Sequence, residues 1–573
     1  IEFSIVNSRQ FTARAEAGTV VPAVIQTFSK IPGAKFDWPT CKWLFPLHAH
    51  DNLQVALASH RHTVVPLPRL TLAAAQLKSQ REEQEALSGG KWDPEESLLA
   101  LKGHIPDAVL HQLAPFQRDA VKFIVSNKGR ALVADEMGLG KTRTAISAAM
   151  AYQDDWPLLV ISPSSARHHW QAEILSVLYP HSIEPKDITI VESNTHPIFK
   201  GPEHFKQRVL ICSYHLVARI SSILERIPFN VVIVDESHYM KSIAAQRTRC
   251  LVPLLHRAKR AILLSGTPAL SRPIELFTQL HALSPSAWPD MKEFGRRYCT
   301  ASKAELRARK LAQQQHFSGA SNVEELHVML TATLMIRRLK KDILAQLPCK
   351  TRQIIRVTIE DKEKSTELYN LLHLTSKYEE EVKKQKKSKA IGEEKQRELN
   401  ELNELRMRKK TVLMSLFTKS GEAKLPAILK HLEGFLDDKL SGKVLVFCHH
   451  RSVMEGLANM LTQRGEEYIR IDGQTPSKER HSRVQRFQTS SQCRVAILAI
   501  TAAGIAITLT AASTVYFAEL FWTPAALLQA EDRAHRIGQV NTVKVTYFLA
   551  RNSVDVLLWP MVRQKMKLLG KIV

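Results

Sequence analysis

Short apolar runs without polar alternation recur along most of the chain, and stretches with helical spacing separate them. In the first half they lie at 131–134, 158–161, 209–212, 231–234 and 261–264. Later runs lie at 444–448, 468–471, 495–500, 515–518 and 543–549. A strand buried on both faces lacks polar alternation, and alternation of strands with helices is typical of a parallel sheet. The pattern therefore predicts an α/β fold with two parallel-sheet lobes.

Two segments depart from this pattern. Residues 377–410 are rich in Glu, Lys, Gln and Arg, which predicts either an exposed helix or a mobile insert. The first 60 residues are crowded with aromatic side chains, namely Phe28, Phe36, Trp38, Trp43 and Phe45. We expect a small separate module here, in which most of these aromatic residues form the core. The predicted domains are 1–62 (mixed α/β module), 63–110 (connector), 111–350 (first lobe), 351–420 (helical basic insertion) and 421–573 (second lobe).

The uncharged stretch 495–518 is long enough to cross a bilayer. It carries several hydroxyl side chains and reads as two short runs with a glycine between them. We therefore predict two buried strands and no membrane partner.

Charge and cysteine content narrow the choice of partners. Lysine and arginine number 80 and aspartate and glutamate 56, a net charge of +24 over 573 residues. This surplus favours a polyanionic partner, although a basic protein without such a partner would have the same composition. The seven cysteines form no CxxC pair, so neither a zinc site nor a disulfide-linked partner is indicated.

The segment VADEMGLGKT (133–142) has the form of a strand that runs through a glycine-bearing turn into a helix. Such a turn directs backbone N–H groups at a phosphate. Lys141 would then reach the β- and γ-phosphates of a nucleotide, and the Thr142 hydroxyl would bind Mg²⁺. A generic loop of this kind has Gly six residues before the lysine, where this chain has Asp135.

A second motif, NVVIVDESH (230–238), is a buried strand that ends in two carboxylates. Asp235 is suited to hold Mg²⁺ through water, and Glu236 to orient and deprotonate an attacking water. With the glycine-bearing loop upstream, we interpret the pair as catalytic rather than as an ordinary acidic loop.

Three further motifs are weaker alone. The Gln117 amide is suited to read the edge of adenine. SGTP (265–268) suits a hinge that senses the γ-phosphate. Arg533 and Arg536 are spaced to share one helical face, and we expect them to reach γ-phosphate as arginine fingers; the alternative is a salt-bridged surface helix.

DEMGLGKT (135–142), DESH, SGTP, MIRRLKKDILAQLP (335–348) and QAEDRAHRIGQ (529–539) occur in this order. The set resembles the Swi/Snf-type branch of superfamily-two helicase-like ATPases, in which Asp at position 135 is usual. AEDRAHRIGQ and FAELFW (517–522), together with residues 28–43, resemble the annealing-helicase (HARP) subgroup. One departure is Ala506, which stands where the resembling motif has a second glycine.

The resemblance implies two RecA-like lobes with helical insertions after a HARP-like module, and a DNA-dependent ATPase. ATP and Mg²⁺ are the implied cofactors. The implied nucleotide-binding residues are Gln117, Asp135, Met137, Gly138, Leu139, Gly140, Lys141, Thr142 and Gly504, and the catalytic residues are Lys141, Asp235, Glu236, Arg533 and Arg536.

The resemblance also implies translocation on double-stranded DNA, reannealing of separated strands and remodelling of stalled forks in the nucleus. DNA contacts are expected at Lys30, Lys35, Lys42, Ser162 and Thr501, and at junctions between single and double strands. A single-strand-binding protein is an expected partner, recruited through a region before Ile1. A nucleosome remodeller with the same motor and a DNA-binding scaffold without ATP hydrolysis are the alternatives.

Overall fold

The computed structural model describes residues 1–14, 22–59, 63–87, 94–179, 182–269, 272–299, 317, 319–343, 347–385, 393–501, 507–536 and 538–572. The chain divides into two compact units, which comprise residues 1–343 with 568–573, and residues 344–567. Across the described ranges, no helix combines the length and the apolarity that crossing a bilayer requires.

Unit 1 opens with a small mixed α/β module. Its elements are β1 (Glu2–Asn7), β2 (Gln10–Arg14), α1 (Pro22–Lys30), β3 (Lys35–Asp37), β4 (Lys42–Pro46) and α2 (His50–Ser59). The strands pair antiparallel in the order β1-β2-β4-β3. The ring of Phe45 lies 5.4 Å from Phe11 and 5.2 Å from Phe28, and all three are buried. The predicted aromatic core is thus confirmed for Phe28 and Phe45, but it is wrong for Trp38, which is 79% exposed.

Helices α3 to α6 lead from the module to a seven-stranded parallel sheet in the order β11-β5-β10-β9-β6-β8-β7. The elements are α3 (Arg69–Leu87), α4 (Pro94–Leu101), α5 (Asp107–His111), α6 (Pro115–Ser126), β5 (Arg130–Val133), α7 (Lys141–Met150), β6 (Leu158–Ser162), α8 (Arg167–Leu178), β7 (Ile188–Ile190), β8 (Val209–Ser213), α9 (Tyr214–Leu224), β9 (Val231–Val234), α10 (Gln246–Arg257), β10 (Arg260–Leu264), α11 (Ile274–Leu283), α12 (Met291–Tyr298), α13 (Val323–Thr333), β11 (Met335–Ile336) and α14 (Lys340–Ile343). The five strands predicted for this lobe are confirmed. The short β7 and β11 produce no apolar run long enough to recognise.

The module is not separate from the lobe, contrary to expectation. Glu325, on α13, is fully buried and accepts hydrogen bonds from the backbone N–H of Ile5 at 3.1 Å and from the Tyr298 hydroxyl at 3.1 Å. Arg297, on α12, binds both oxygens of this carboxylate, at 2.5 and 2.8 Å. A buried charge needs such partners, so this cluster fixes β1 against the lobe.

Unit 2 contains a six-stranded parallel sheet in the order β12-β17-β16-β13-β15-β14. Its elements are β12 (Lys350–Val357), α15 (Lys362–Gln385), α16 (Glu393–Asp437), β13 (Lys443–Cys448), α17 (Arg451–Gln463), β14 (Tyr468–Ile471), α18 (Ser477–Thr489), β15 (Val495–Ala499), β16 (Ala512–Phe517), α19 (Pro524–Glu531), β17 (Val543–Ala550) and α20 (Asp555–Ile572), whose last residues, from 568 on, are counted with unit 1. The predicted strands of the second lobe are confirmed, including the two within 495–518.

The predicted insertion at 351–420 is wrong at both ends. Its first residues belong to β12, which pairs in parallel with β17 at the edge of the sheet. Its last residues belong to α16, where Leu416 and Phe417 are buried in the core of unit 2. Between these ends, α15 and α16 pack on each other and an ion pair joins Glu379 to Lys409 at 3.2 Å.

We predict that Arg297→Met destabilises unit 1. The substitution leaves the Glu325 carboxylate buried without its ion partner, which typically costs about 3–5 kcal/mol. Thermal unfolding followed by circular dichroism measures the change. Lys292→Met, at an exposed position of the same helix, is the matched control. An equal midpoint for both variants would contradict the role given to this cluster.

Candidate active site

The glycine-bearing loop lies between β5 and α7, at the carboxyl edge of the unit 1 sheet. Gly138 and Gly140 have φ values of 87° and 76°, which side chains with a Cβ rarely adopt. A Cβ at Gly140 would also overlap the Gln117 amide. Because α7 begins at Lys141, its unpaired N–H groups face the loop and favour an anion there. The loop is therefore built as a phosphate cradle.

Lys141 and Thr142 open α7, and both are half-buried. The Lys141 ammonium group donates to the backbone oxygens of Asp135 at 2.9 Å and Glu136 at 3.4 Å, so it lies over the loop itself. This places a positive charge where the sequence predicted a phosphate contact. Met137 and Leu139 are buried, so their side chains pack inside the protein.

Gln117 contacts the loop rather than solvent. Its Oε1 accepts from the Ala114 N–H at 3.0 Å, and its Nε2 donates to the Leu139 oxygen at 3.1 Å. The residue is buried, and its amide closes the α6 side of the loop. In this structure Gln117 therefore supports the phosphate cradle, and reading of adenine by this residue stays a prediction.

Asp235 and Glu236 follow β9, as predicted. The carboxylate of Asp235 accepts from the Trp170 indole at 2.9 Å and from the Glu236 N–H at 2.9 Å. Burial, and then the neighbouring Glu236 charge, raise the pKa of Asp235 to about 6, while the Lys141 ammonium opposes the shift. Two acids and one lysine thus meet in a dry environment, as is typical of catalytic sites.

His238 joins two motifs, a role that the sequence analysis did not assign. Its Nδ1 lies 3.2 Å from the Glu236 carboxylate and 3.1 Å from the Ser265 hydroxyl. Glu236 also has a φ of 51°, an uncommon backbone conformation for a residue with a side chain, and such strain concentrates at functional sites. The DESH and SGTP loops are therefore connected through one imidazole.

The SGTP loop also packs on the phosphate cradle. A Cβ at Gly266 would overlap the side chain of Met137 and lie 3.4 Å from the Lys141 ammonium nitrogen. Only glycine permits this approach, which places the predicted γ-phosphate-sensing hinge against the loop that is expected to hold the phosphates.

Asp135 has its ion partner inside the protein. Its carboxylate is 1% exposed and is held by both ends of the Arg338 guanidinium. The carboxylate is therefore used within the protein, and contact of Asp135 with the cofactor stays a prediction. Arg338 belongs to the MIRRLKKDILAQLP segment, which the sequence analysis used only as a family marker.

In unit 2 the arginine pair is arranged differently from the prediction. Helix α19 ends at Glu531, so Arg533 and Arg536 lie in turns and do not share a helical face. Both guanidiniums instead donate to the Ile507 backbone oxygen, at 3.2 and 3.3 Å. Arg533 is 2% exposed and Arg536 is half-buried. Their role toward γ-phosphate stays a prediction.

The positions predicted to contact DNA differ in their exposure to solvent. Lys30, Lys35, Lys42 and Thr501 are exposed, as contact with DNA requires. Ser162 is fully buried at the end of β6 and donates to the Pro163 oxygen, so its predicted DNA contact is wrong for this structure. Gly504 and Ala506 lie outside the described residues.

The two parallel-sheet units and the assembled loops define a helicase-like ATPase motor. Comparison with known families agrees, because the SNF2-related domain matches residues 116–414 and the helicase conserved C-terminal domain matches residues 423–538. The first match spans more than half of the chain, which therefore belongs to the SNF2-related family. The predicted resemblance to the Swi/Snf-type branch of helicase-like ATPases is confirmed.

The particular relatives are also informative. The chain is 36% identical over 557 residues to the SWI/SNF-related matrix-associated actin-dependent regulator of chromatin subfamily A-like protein 1 of Xenopus tropicalis, which covers 96% of this chain and 53% of that protein. It is 39% identical over 470 residues to the DNA annealing helicase and endonuclease ZRANB3 of Bos taurus, covering 81% and 41%. The chain thus spans about half the length of these relatives.

Among solved structures, the Sulfolobus solfataricus SWI2/SNF2 ATPase core in complex with dsDNA aligns with a TM-score of 0.35 at 20% identity. The alignment covers 80% of this chain and 97% of that one.

We predict that Glu236→Gln abolishes turnover but preserves nucleotide binding. The amide keeps the shape of the side chain but cannot accept a proton from water, and loss of a general base costs about 10²–10⁴-fold in rate. Phosphate release measures turnover, and a fluorescent ATP analogue measures binding. Glu225→Gln, an exposed position on the same unit, is the control. Turnover equal to that of the control would remove Glu236 from catalysis.

Proposed function

We propose that this protein is an ATP-dependent translocase on double-stranded DNA that reanneals separated strands and remodels branched or stalled forks. One observation carries the proposal: an antiparallel-sheet module with three exposed lysines is fixed by buried Glu325 to a unit that holds a phosphate cradle and an acidic pair. The relatives named annealing helicase and regulator of chromatin support this assignment. They also support a nuclear location. Recruitment by a single-strand-binding protein stays a prediction.

The site suits ATP with Mg²⁺. The Lys141 ammonium and the start of α7 offer positive charge to the phosphates. The Thr142 hydroxyl and the Asp235 carboxylate, the latter through water, are the oxygen ligands that this hard cation prefers. The raised pKa of Asp235 fits as well, because a cation beside a buried carboxylate stabilises its charged form. Bound Mg²⁺ would neutralise charge on the phosphates.

Within this arrangement the chain's own residues have distinct tasks. Glu236 orients the attacking water and accepts its proton. His238 lies against both the Glu236 carboxylate and the Ser265 hydroxyl and so links the acidic pair to the hinge loop. We further propose that Arg533 and Arg536 stabilise charge on the γ-phosphate, which requires them to release the Ile507 oxygen.

The amino-terminal module supplies the DNA contact. Lys30, Lys35 and Lys42 are exposed on it, and Trp38 stands in the turn between β3 and β4. Lysines bind phosphates without regard to sequence, and an exposed indole offers a face on which an unpaired base can stack. Such a surface fits a junction between single and double strands better than a uniform duplex.

We expect ATP turnover to be stimulated most by forked DNA, less by plain duplex or single strands, and least without DNA. The reason is that only a fork presents both strand types to the module and motor. Phosphate release with each DNA, and with nucleosomes, measures the order. Preferential stimulation by nucleosomes would favour a chromatin remodeller. A Lys141→Ala variant that remodels forks as well as the unaltered protein would favour a non-hydrolysing scaffold.

We also expect Lys30→Glu, Lys35→Glu and Lys42→Glu, combined, to weaken binding of forked DNA. Each lost phosphate contact should make the negative slope of log affinity against log salt concentration shallower by about 0.9. Salt titrations of fork binding and fork-stimulated turnover measure the effect. Lys200→Glu, Lys206→Glu and Lys439→Glu, at exposed positions outside the module, give the same charge change as a control. Matching results for the two triple variants would exclude the module.

A further inference from the structure

The phosphate cradle begins with two acidic residues, Asp135 and Glu136, which Met137 separates from its first glycine, Gly138. Negative charge beside an anion site opposes binding, and a buried carboxylate is costly unless it is paired. Asp135 is almost completely buried. The cradle therefore depends on groups that compensate these charges.

A second strand segment follows the cradle past the end of the sheet. The backbone N–H groups of Leu132 and Ala134 donate to the oxygens of Leu334 and Ile336, both at 2.8 Å, in the β5–β11 pairing. The register then continues beyond both strands, since the Glu136 N–H donates to the Arg338 oxygen at 3.0 Å. The entry to the cradle is thus held as an extension of the sheet.

The same segment compensates the two acids, Asp135 through a side chain and Glu136 through a backbone N–H group. Arg338 binds both oxygens of Asp135, with its Nε at 2.9 Å, and also donates to the Phe116 oxygen on α6. The Glu136 carboxylate accepts from the backbone N–H of Lys340 at 2.8 Å. Arg338 thereby joins the cradle to the helix that carries Gln117.

Arg337 makes a parallel connection on the other side. Its guanidinium donates to the Ala134 oxygen at 2.8 Å and to the Gly266 oxygen at 3.4 Å. We name residues 335–340 the clasp, because they contact α6, the cradle and the SGTP loop together.

We propose that Arg338 is a positioning residue for ATP binding, which it controls by holding the buried Asp135 carboxylate in an ion pair, with Asp119 also 3.6 Å from its guanidinium, and so fixing the geometry and charge of the phosphate cradle. The proposal rests on the ATPase activity proposed above. Arg338 does not touch the nucleotide; it acts through Asp135 and the cradle backbone. Loss of Arg338 leaves a negative charge beside the triphosphate and frees the loop entry.

The test is a double-mutant cycle of Arg338→Met and Asp135→Asn. We expect Arg338→Met to weaken binding of a fluorescent ATP analogue and to lower kcat/KM for ATP roughly 10–100-fold, mainly through KM. Adding Asp135→Asn removes the uncompensated charge, so the double variant should recover part of the affinity. Losses that multiply in the double variant would overturn the proposal.

Arg130→Met is the matched control. Arg130 stands at the opposite end of β5 and donates to four backbone oxygens, those of Leu283, Ala258, Leu255 and Ala282. It should lower the unfolding midpoint while leaving KM for ATP unchanged. If both arginine variants change KM by the same factor, Arg338 has only a structural role and the proposal fails.

Arg338→Lys covers the case in which Arg338→Met does not fold. An ammonium group keeps the charge but cannot bind Asp135 and Phe116 together, so KM should rise by less than in the methionine variant. An unchanged KM would contradict the proposal. Analogue binding is measured without DNA, so lack of DNA stimulation would refute the proposed function and leave this test standing.

Discussion

The adjacency of β5, β10 and β9 in one parallel sheet is the constraint on which the site depends. Parallel strands end at the same edge, so the loops that follow these three strands must meet there. Those loops are the phosphate cradle, the SGTP loop and the DESH segment. Residues distant in sequence are brought together by strand order alone, and small contacts such as Gly266 against Met137 then set their spacing.

Charge compensation is the second requirement of this edge. Four carboxylates follow the strands here, in the pairs Asp135–Glu136 and Asp235–Glu236. Residues of the clasp donate hydrogen bonds to the carboxylates of the first pair. In the second pair, the pKa of Asp235 is raised. Acids that are fully paired serve architecture, and acids left in an unfavourable environment are available for chemistry. The sequence shows four similar residues, and only their partners distinguish the two roles.

Much of the fold could be predicted because buried parallel strands have a strong pattern. All ten predicted strands exist, while β7, β11 and β12 were missed: the first two are very short, and β12 is a mostly exposed edge strand. Motif order also located the cradle and the acidic pair. Long-range partners could not be predicted, since nothing in the sequence pairs Arg338 with Asp135 or Ser162 with the core. The prediction that Arg533 and Arg536 share a helical face was wrong because α19 ends at Glu531, before the motif does.

The clasp lies close to the end of residues 1–343, which form most of unit 1. Unit 1 ends at Ile343 and unit 2 begins at Leu344, so the polypeptide passes from one unit to the other immediately after residues 335–340. The segment that frames the phosphate cradle therefore comes just before this boundary between the units. The same few residues thus pair with the nucleotide loop and complete the amino-terminal stretch of unit 1.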